Sequence, residues 1–162
     1  MRILHTSDWH IGRRLHGESL AASHENFLSW LHSEVIAQTK PELLVVSGDI
    51  YDRGVPPTEA IELFEDTLAE INKYGIQVLI TSGNHDSRVR LGSNTRFMSG
   101  LGLHFRTRLH EIDKPVIVSS DDFDLIGKLI NLLFNINEQN IKDQSYINFI
   151  TFCNSNNKLI LD

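Results

Sequence analysis

Sulfur is nearly absent: the 162 residues contain one cysteine, Cys153. No intramolecular disulfide can form, and a thiolate zinc site is not expected. Long apolar runs are missing as well. The N-terminus turns polar from His5 onward and has no hydrophobic signal-peptide region, and the late run Leu129–Phe134 is far too short to span a bilayer. No membrane association is therefore expected, and a reducing cytoplasmic location is the default. Positive charge is in deficit, with 15 Lys and Arg against 21 Asp and Glu, a net charge of −6. That rules out a generally basic coat for nucleic acid and leaves room for a local basic patch. Histidine is missing after His110 and arginine after Arg108. From residue 125 onward there is one glycine and no proline, whereas asparagine rises from four in residues 1–124 to eight in residues 125–162. This shift sets the expected organisation: a unit over residues 1–124 and an atypical tail over 125–162, read as a separate element, a truncation scar or a frameshifted end. The apolar residues Leu129, Leu132, Leu133 and Ile136 of that tail are given no function.

The length suits one domain, which should bury roughly 70% of its unfolded surface. Strand and helix signals alternate through the first 124 residues. Arg2–Thr6, Leu43–Ser47 and Gln77–Thr81 are short apolar runs ending in polar or glycine-rich loops. Between them, Ala22–Thr39 carries Phe27, Leu28, Leu31, Val35 and Ile36 at helical spacing, and Lys40–Pro41 stops it. Pro57–Lys73 opens on a proline suited to a first helical turn and places Ile61, Phe64, Leu68 and Ile71 on one stripe. The order β-α-β-α-β predicts a largely parallel, helix-covered sheet in an α/β fold. Weaker strands are expected at Leu103–Arg108, Pro115–Ser119 and Phe123–Ile126, and a short helix within Val89–Met98.

Polar residues concentrate where the three main strands end: Asp8-Trp9-His10, then Gly48-Asp49-Ile50-Tyr51-Asp52, then Gly83-Asn84-His85-Asp86. Ligand sites of parallel α/β sheets lie outside the carboxyl ends of the strands, so these loops can converge. Asp8 and His10, two apart, would point the same way from extended backbone and share a cation. Asp49 can bridge two ions, and Asn84 offers a neutral oxygen to the second. Oxygen and nitrogen donors without thiolate suit Mn²⁺, Fe or Zn²⁺. Two such ions would clamp a phosphate and activate water for in-line attack. His85 would protonate the leaving oxygen or stabilise phosphoryl charge, with Asp86 orienting its ring. Singly, each residue reads equally well as turn or capping chemistry. Three strand ends carrying D-x-H, G-D-x-x-D and G-N-H-D together do not. Asp52 reads as satisfying loop amides and is left outside the site. His24 and His32 read as polar or boundary residues of their helix, and His16 as a loop residue. Arg13, Arg14, Arg53, Arg88 and Arg90 follow the three motifs and would form a positive rim for phosphates; the competing reading pairs them with acidic neighbours such as Glu18 and Asp52.

These three motifs resemble the first signatures of the calcineurin-like metallophosphoesterases. The longer strings MRILHTSDWHIGRRLHG, VVSGDIYDRGVPP and ITSGNHDS are similar to the SbcD family, nuclease subunits of bacterial SbcCD complexes. The similarity covers roughly residues 1–124. It implies a calcineurin-like metallophosphoesterase fold, here incomplete, and a DNA exonuclease and endonuclease of double-strand-break repair, recombination and replication. It implies two divalent ions, Mn²⁺ with Mg²⁺ as the alternative. It also implies a homodimer working with an SbcC-like ATPase subunit. Carried over by motif, Asp8 and His10 would hold the first ion, Asp49 would bridge, Asn84 would hold the second, and His85 would assist catalysis. The family draws further histidine ligands from later segments, a G-H-x-H motif among them, and nothing after His110 supplies them. The expectation is thus a truncated member with weak metal binding and little activity alone. Two other readings stand beside it. A phosphoesterase of the same superfamily acting on another substrate would separate by its hydrolysis of a phosphopeptide or a simple diester. A non-catalytic remnant that only dimerises or packs on a partner would retain little metal.

Overall fold

A computed structural model describes residues 2–93, 95–108, 116–120 and 123–129. Its centre is a four-stranded, all-parallel sheet formed by β1 (Ile3–Thr6), β4 (Leu43–Ser47), β5 (Gln77–Thr81) and β6 (Leu103–Arg106), which lie side by side in that order. Register runs Thr6 to Val46 and Ser47 to Thr81, so the three motif-bearing strands finish together. Two short strands, β2 (Arg14–Leu15) and β3 (Glu18–Ser19), make a small antiparallel hairpin after the first motif. Its turn residues His16 and Gly17 have φ of 50° and 87°, the left-handed pair that a tight two-residue hairpin demands. Sequence predicts only loop here, because the strands are too short for a period to show.

The helical segment 21–39 is not uniform. α1 (Ala21–Trp30) passes into a π-helical stretch, Leu31–Ile36, and then α2 (Ala37–Thr39). The wider turn keeps Leu28, Leu31 and Ile36 all buried. Lys40 closes the helix in a left-handed conformation, φ 45°, ahead of Pro41. α3 (Thr58–Asn72) buries Ala60, Phe64, Thr67, Leu68 and Ile71. Ile61, expected on that stripe, lies one residue off it and is exposed. The expected helix within Val89–Met98 is two short ones, α4 (Arg88–Leu91) and α5 (Thr95–Met98).

Strand alternation divides the sheet into two faces. Leu44, Val46, Val78, Ile80, Leu103 and Phe105 join the helices in the main core. Each such fully buried aliphatic side chain contributes about 1.5–3 kcal/mol. Leu43, Val45 and Leu79 point the other way and pack with Val116 of the antiparallel hairpin β7 (Val116–Ser120) and β8 (Phe123–Leu129). The helix-covered sheet expected from sequence is helix-covered on one face, and a β-hairpin contributes to the other. β8 continues through Leu125, where the composition shifts. The segment 130–162, and with it most of the expected tail, lies outside the described residues. No helix among the described residues is long and apolar enough to cross a membrane.

Candidate metal centre

The first two motif loops are laced together by backbone bonds that extend the β1–β4 pairing beyond the sheet. Asp8 N donates to Gly48 O, His10 N to Asp49 O, Ile11 N to Ile50 O, and Asp52 N to Ile11 O, at 2.9–3.2 Å. Trp9, Ile11, Ile50 and Tyr51 are buried and anchor both loops in the core. Trp9 packs edge-on against Phe27 and Phe64. The alternate residues Asp8 and His10 are therefore turned to the rim.

The third loop is tied in by two carboxylates. Asp86, buried, accepts the N–H groups of Ile50 (3.1 Å), Tyr51 (2.9 Å) and Gly83 (2.9 Å). Burial pushes its carboxyl above the usual range, against the pull of those donors. Asp49 accepts the His85 N–H through Oδ1 at 2.9 Å. Two glycines make this approach physical. A Cβ on Gly83 would stand 2.1 Å from Asp49 Oδ1, and one on Gly48 would stand 3.0 Å from Gly83 Cα.

At the mouth, His10 Nε2 faces Asp8 Oδ1 at 3.8 Å and Asp49 Oδ2 at 3.9 Å. Neither is a hydrogen bond. Two donors each about 2.1 Å from one ion stand roughly 3–4 Å apart, so the spacing fits ligands sharing a cation. Asp8, His10 and Asp49 form one candidate group on this criterion, and His10, Asp52 and His85 a second. Asp8, His10 and Asp49 also share left-handed backbone, φ 57°, 46° and 50°. Such conformations cost of order 1–3 kcal/mol each and gather at functional sites. Asp8 and His10 thus converge through left-handed turns and not from the extended backbone that their spacing suggests.

The His85 ring lies edge-on to His10, centroids 4.8 Å apart. Its Nδ1 donates to the Asp52 carbonyl at 2.8 Å, since a carbonyl can only accept. This bond raises the pKa of the ring above the ordinary imidazole value. The orienting group is therefore Asp52 and not Asp86, the residue that the sequence pattern suggests; Asp86 is committed to the three backbone N–H groups. Asp52, outside the site on sequence grounds, stands with its carboxylate 3.6 Å from His10 Nδ1 and 3.9 Å from Arg13 Nε. Asn84 is exposed on the third loop. Arg13 is half exposed, Arg14 donates to the Gly17 carbonyl within the hairpin, Arg53 is exposed on the second loop, and Arg88 and Arg90 stand on α4. His24 is half-buried on α1, as a boundary residue of that helix should be, and burial lowers the basicity of its ring.

The three candidate ligand loops thus gather at the carboxyl end of a parallel α/β sheet. A family model for calcineurin-like phosphoesterases matches residues 1–158, and the chain belongs to that family. It is also similar to two staphylococcal proteins, from Staphylococcus epidermidis and Staphylococcus saprophyticus, each named as the D subunit of the nuclease SbcCD. Each is 36% identical over 124 residues, which is 76% of this chain and 33% of the relative. That stretch is SbcD-like, and the chain spans about a third of the length of the curated relatives it matches.

Proposed function

We propose that the chain carries the metal-binding part of an SbcD-like DNA nuclease, hydrolysing phosphodiester bonds at a centre of two divalent ions, Mn²⁺ in preference to Mg²⁺. The observation that carries this reading is the Asp8–His10–Asp49 cluster held on strained, mutually laced loops. When bound, the ions supply positive charge for the phosphate and an activated water. Asp8 and His10 would hold the first ion, Asp49 would be shared between the two, and Asn84 would hold the second. His85 acts on the leaving oxygen. With Nδ1 committed to the Asp52 carbonyl, its Nε2 is the nitrogen left to carry the transferable proton. The bond to the Asp52 carbonyl makes the ring more basic than an ordinary imidazole. Arg13, Arg14, Arg53, Arg88 and Arg90 contact DNA phosphates. A homodimer, an SbcC-like ATPase subunit and a cytoplasmic role in DNA repair and recombination belong to the same reading.

Calorimetry with Mn²⁺ on this chain and on Asp49→Ala tests it. Two binding events in the wild type, weak for want of the later histidine ligands and both lost in the variant, are expected of the dinuclear centre. A single event or none would reduce the chain to a remnant that forms no such centre. Rates on DNA, bis-p-nitrophenyl phosphate and a phosphopeptide then decide the substrate. For DNA, the Arg13→Ala/Arg14→Ala double variant should lower the salt dependence of binding by about two phosphate contacts.

A further inference from the structure

The two ring nitrogens of His10 face different sets of donors. Nε2 looks to the Asp8 and Asp49 carboxylates. Nδ1 looks away from them. It is sealed from solvent, makes no hydrogen bond among the described residues, and stands 3.6 Å from Asp52 Oδ1. A buried polar atom without a hydrogen bond calls for a specific explanation. His85 closes the same corner: its ring lies edge-on to His10, centroids 4.8 Å apart, and is tied to the Asp52 backbone carbonyl at 2.8 Å. One nitrogen of each ring and one Asp52 oxygen lie within 4.8 Å of one another. Two donors of a tetrahedral Zn²⁺ stand about 3.4 Å apart, so small side-chain rotations bring all three onto one ion. His85 is exposed, which lets an ion enter and water complete its coordination. Arg13 Nε lies 3.9 Å from the same Asp52 oxygen, but that side chain is half exposed and a pair of this kind holds it weakly.

We propose that His10, Asp52 and His85 form a second, inhibitory metal site, which takes an imidazole-seeking ion, Zn²⁺ foremost, in place of the catalytic ions. Two imidazoles and one carboxylate suit Zn²⁺, whereas the oxygen-rich set of Asp8, Asp49 and Asn84 suits Mn²⁺ or Mg²⁺. A neutral imidazole has one lone pair, so His10 serves one cluster or the other and never both. His85, with its lone pair on an ion, can no longer take up a proton to deliver. The identity of the ion thus selects which donor set His10 joins. The inhibition rests on the reading of His10 as a ligand of the catalytic ions; the Zn²⁺ site stands without it.

Separate calorimetric titrations with Zn²⁺ and with Mn²⁺, on this chain and on Asp52→Ala, His85→Ala and Asp8→Ala, test the assignment. Asp52→Ala keeps the backbone carbonyl that holds His85, and the His85 side chain is exposed, so both variants should fold; should one fail to, the other decides. Zn²⁺ affinity should fall about 100-fold in Asp52→Ala and in His85→Ala, and stay within about threefold of wild type in Asp8→Ala. Mn²⁺ affinity should be lost in Asp8→Ala and stay within about threefold in His85→Ala. Zn²⁺ added to the Mn²⁺-loaded wild type should release Mn²⁺, read from the electron-spin resonance of the free ion. A wild type that binds no Zn²⁺ overturns the proposal. So does Zn²⁺ affinity that is unmoved by Asp52→Ala and His85→Ala, or that falls as far in Asp8→Ala as in His85→Ala, because Zn²⁺ would then sit among the carboxylates. Zn²⁺ binding that leaves Mn²⁺ in place overturns the sharing of His10 and with it the inhibition. A wild type that binds Zn²⁺ but no Mn²⁺ would overturn the catalytic-ion reading alone, because the Zn²⁺ titrations still decide the second site.

Discussion

Replacing Gly83 by alanine should do far more damage than a single methyl group suggests. Gly83 has no left-handed backbone to lose, so the effect is one of space alone. The new Cβ would sit 2.1 Å from Asp49 Oδ1, 2.4 Å from Asp49 N and 2.6 Å from Asp49 Cγ. Rotating the Asp49 side chain relieves two of these contacts but not the backbone nitrogen, so the second loop must move. Overpacking of this kind costs about 1–3 kcal/mol. Losing the bond from His85 N–H to the Asp49 carboxylate adds about 1.5–3 kcal/mol. The expected loss is about 3–5 kcal/mol, a urea midpoint lower by roughly 2 M for a typical slope. Mn²⁺ heats should disappear with the displaced carboxylate. Gly17→Ala is the control: φ is +87° there, but no atom lies within 4 Å of the new Cβ. Only the left-handed penalty remains, about 1–2 kcal/mol. A Gly83→Ala midpoint within about 0.5 M of wild type, or a loss smaller than that of Gly17→Ala, would refute the close-approach argument.

Asp86→Ala should cost about 3–5 kcal/mol, because three backbone N–H groups lose their acceptor in or beside the core; fast amide exchange at Ile50 and Tyr51 would accompany it, and a loss under about 1 kcal/mol would contradict the clamp. His85 should titrate above the ordinary value of 6.5 in the metal-free chain, chiefly through the Asp52 carbonyl. Its contribution to stability is then complete below pH 6.5 and is lost as pH rises through the folded-state value. NMR titration of the ring measures this, and a value at or below 6.5 would count against the bond.

Much of this is legible in the chain because the signals are local. Leu43–Ser47 and Gln77–Thr81 are continuous apolar runs closed by glycine motifs, and both strands have those limits. Helix α3 lies within the expected Pro57–Lys73, set by a proline at one end and a long apolar stripe. Position alone tells that the three motifs meet, since parallel strands must end on one side. The assignment of partners is a different matter. Asp86 and Asp52 both follow histidine-bearing or glycine-bearing loops, and composition cannot say which oxygen faces a ring and which faces a backbone N–H. The π-helical stretch and the left-handed Asp8, His10 and Asp49 are equally hidden: Asp and His adopt positive φ more often than most side chains, but only in a small minority of their occurrences.

Those three left-handed residues have a consequence for how the sequence tolerates change. Together they hold several kcal/mol of backbone strain, a sizeable part of the roughly 5–15 kcal/mol by which a domain is stable. Glycine at any of them would relax the loop while deleting a candidate ligand. Selection for folding alone therefore pulls positions 8, 10 and 49 towards glycine or asparagine, and only selection for the site holds aspartate and histidine there. A library scored for abundance should enrich the same variants that a library scored for metal uptake rejects, so the two maps, overlaid, would outline the working surface of this fold without any substrate being known.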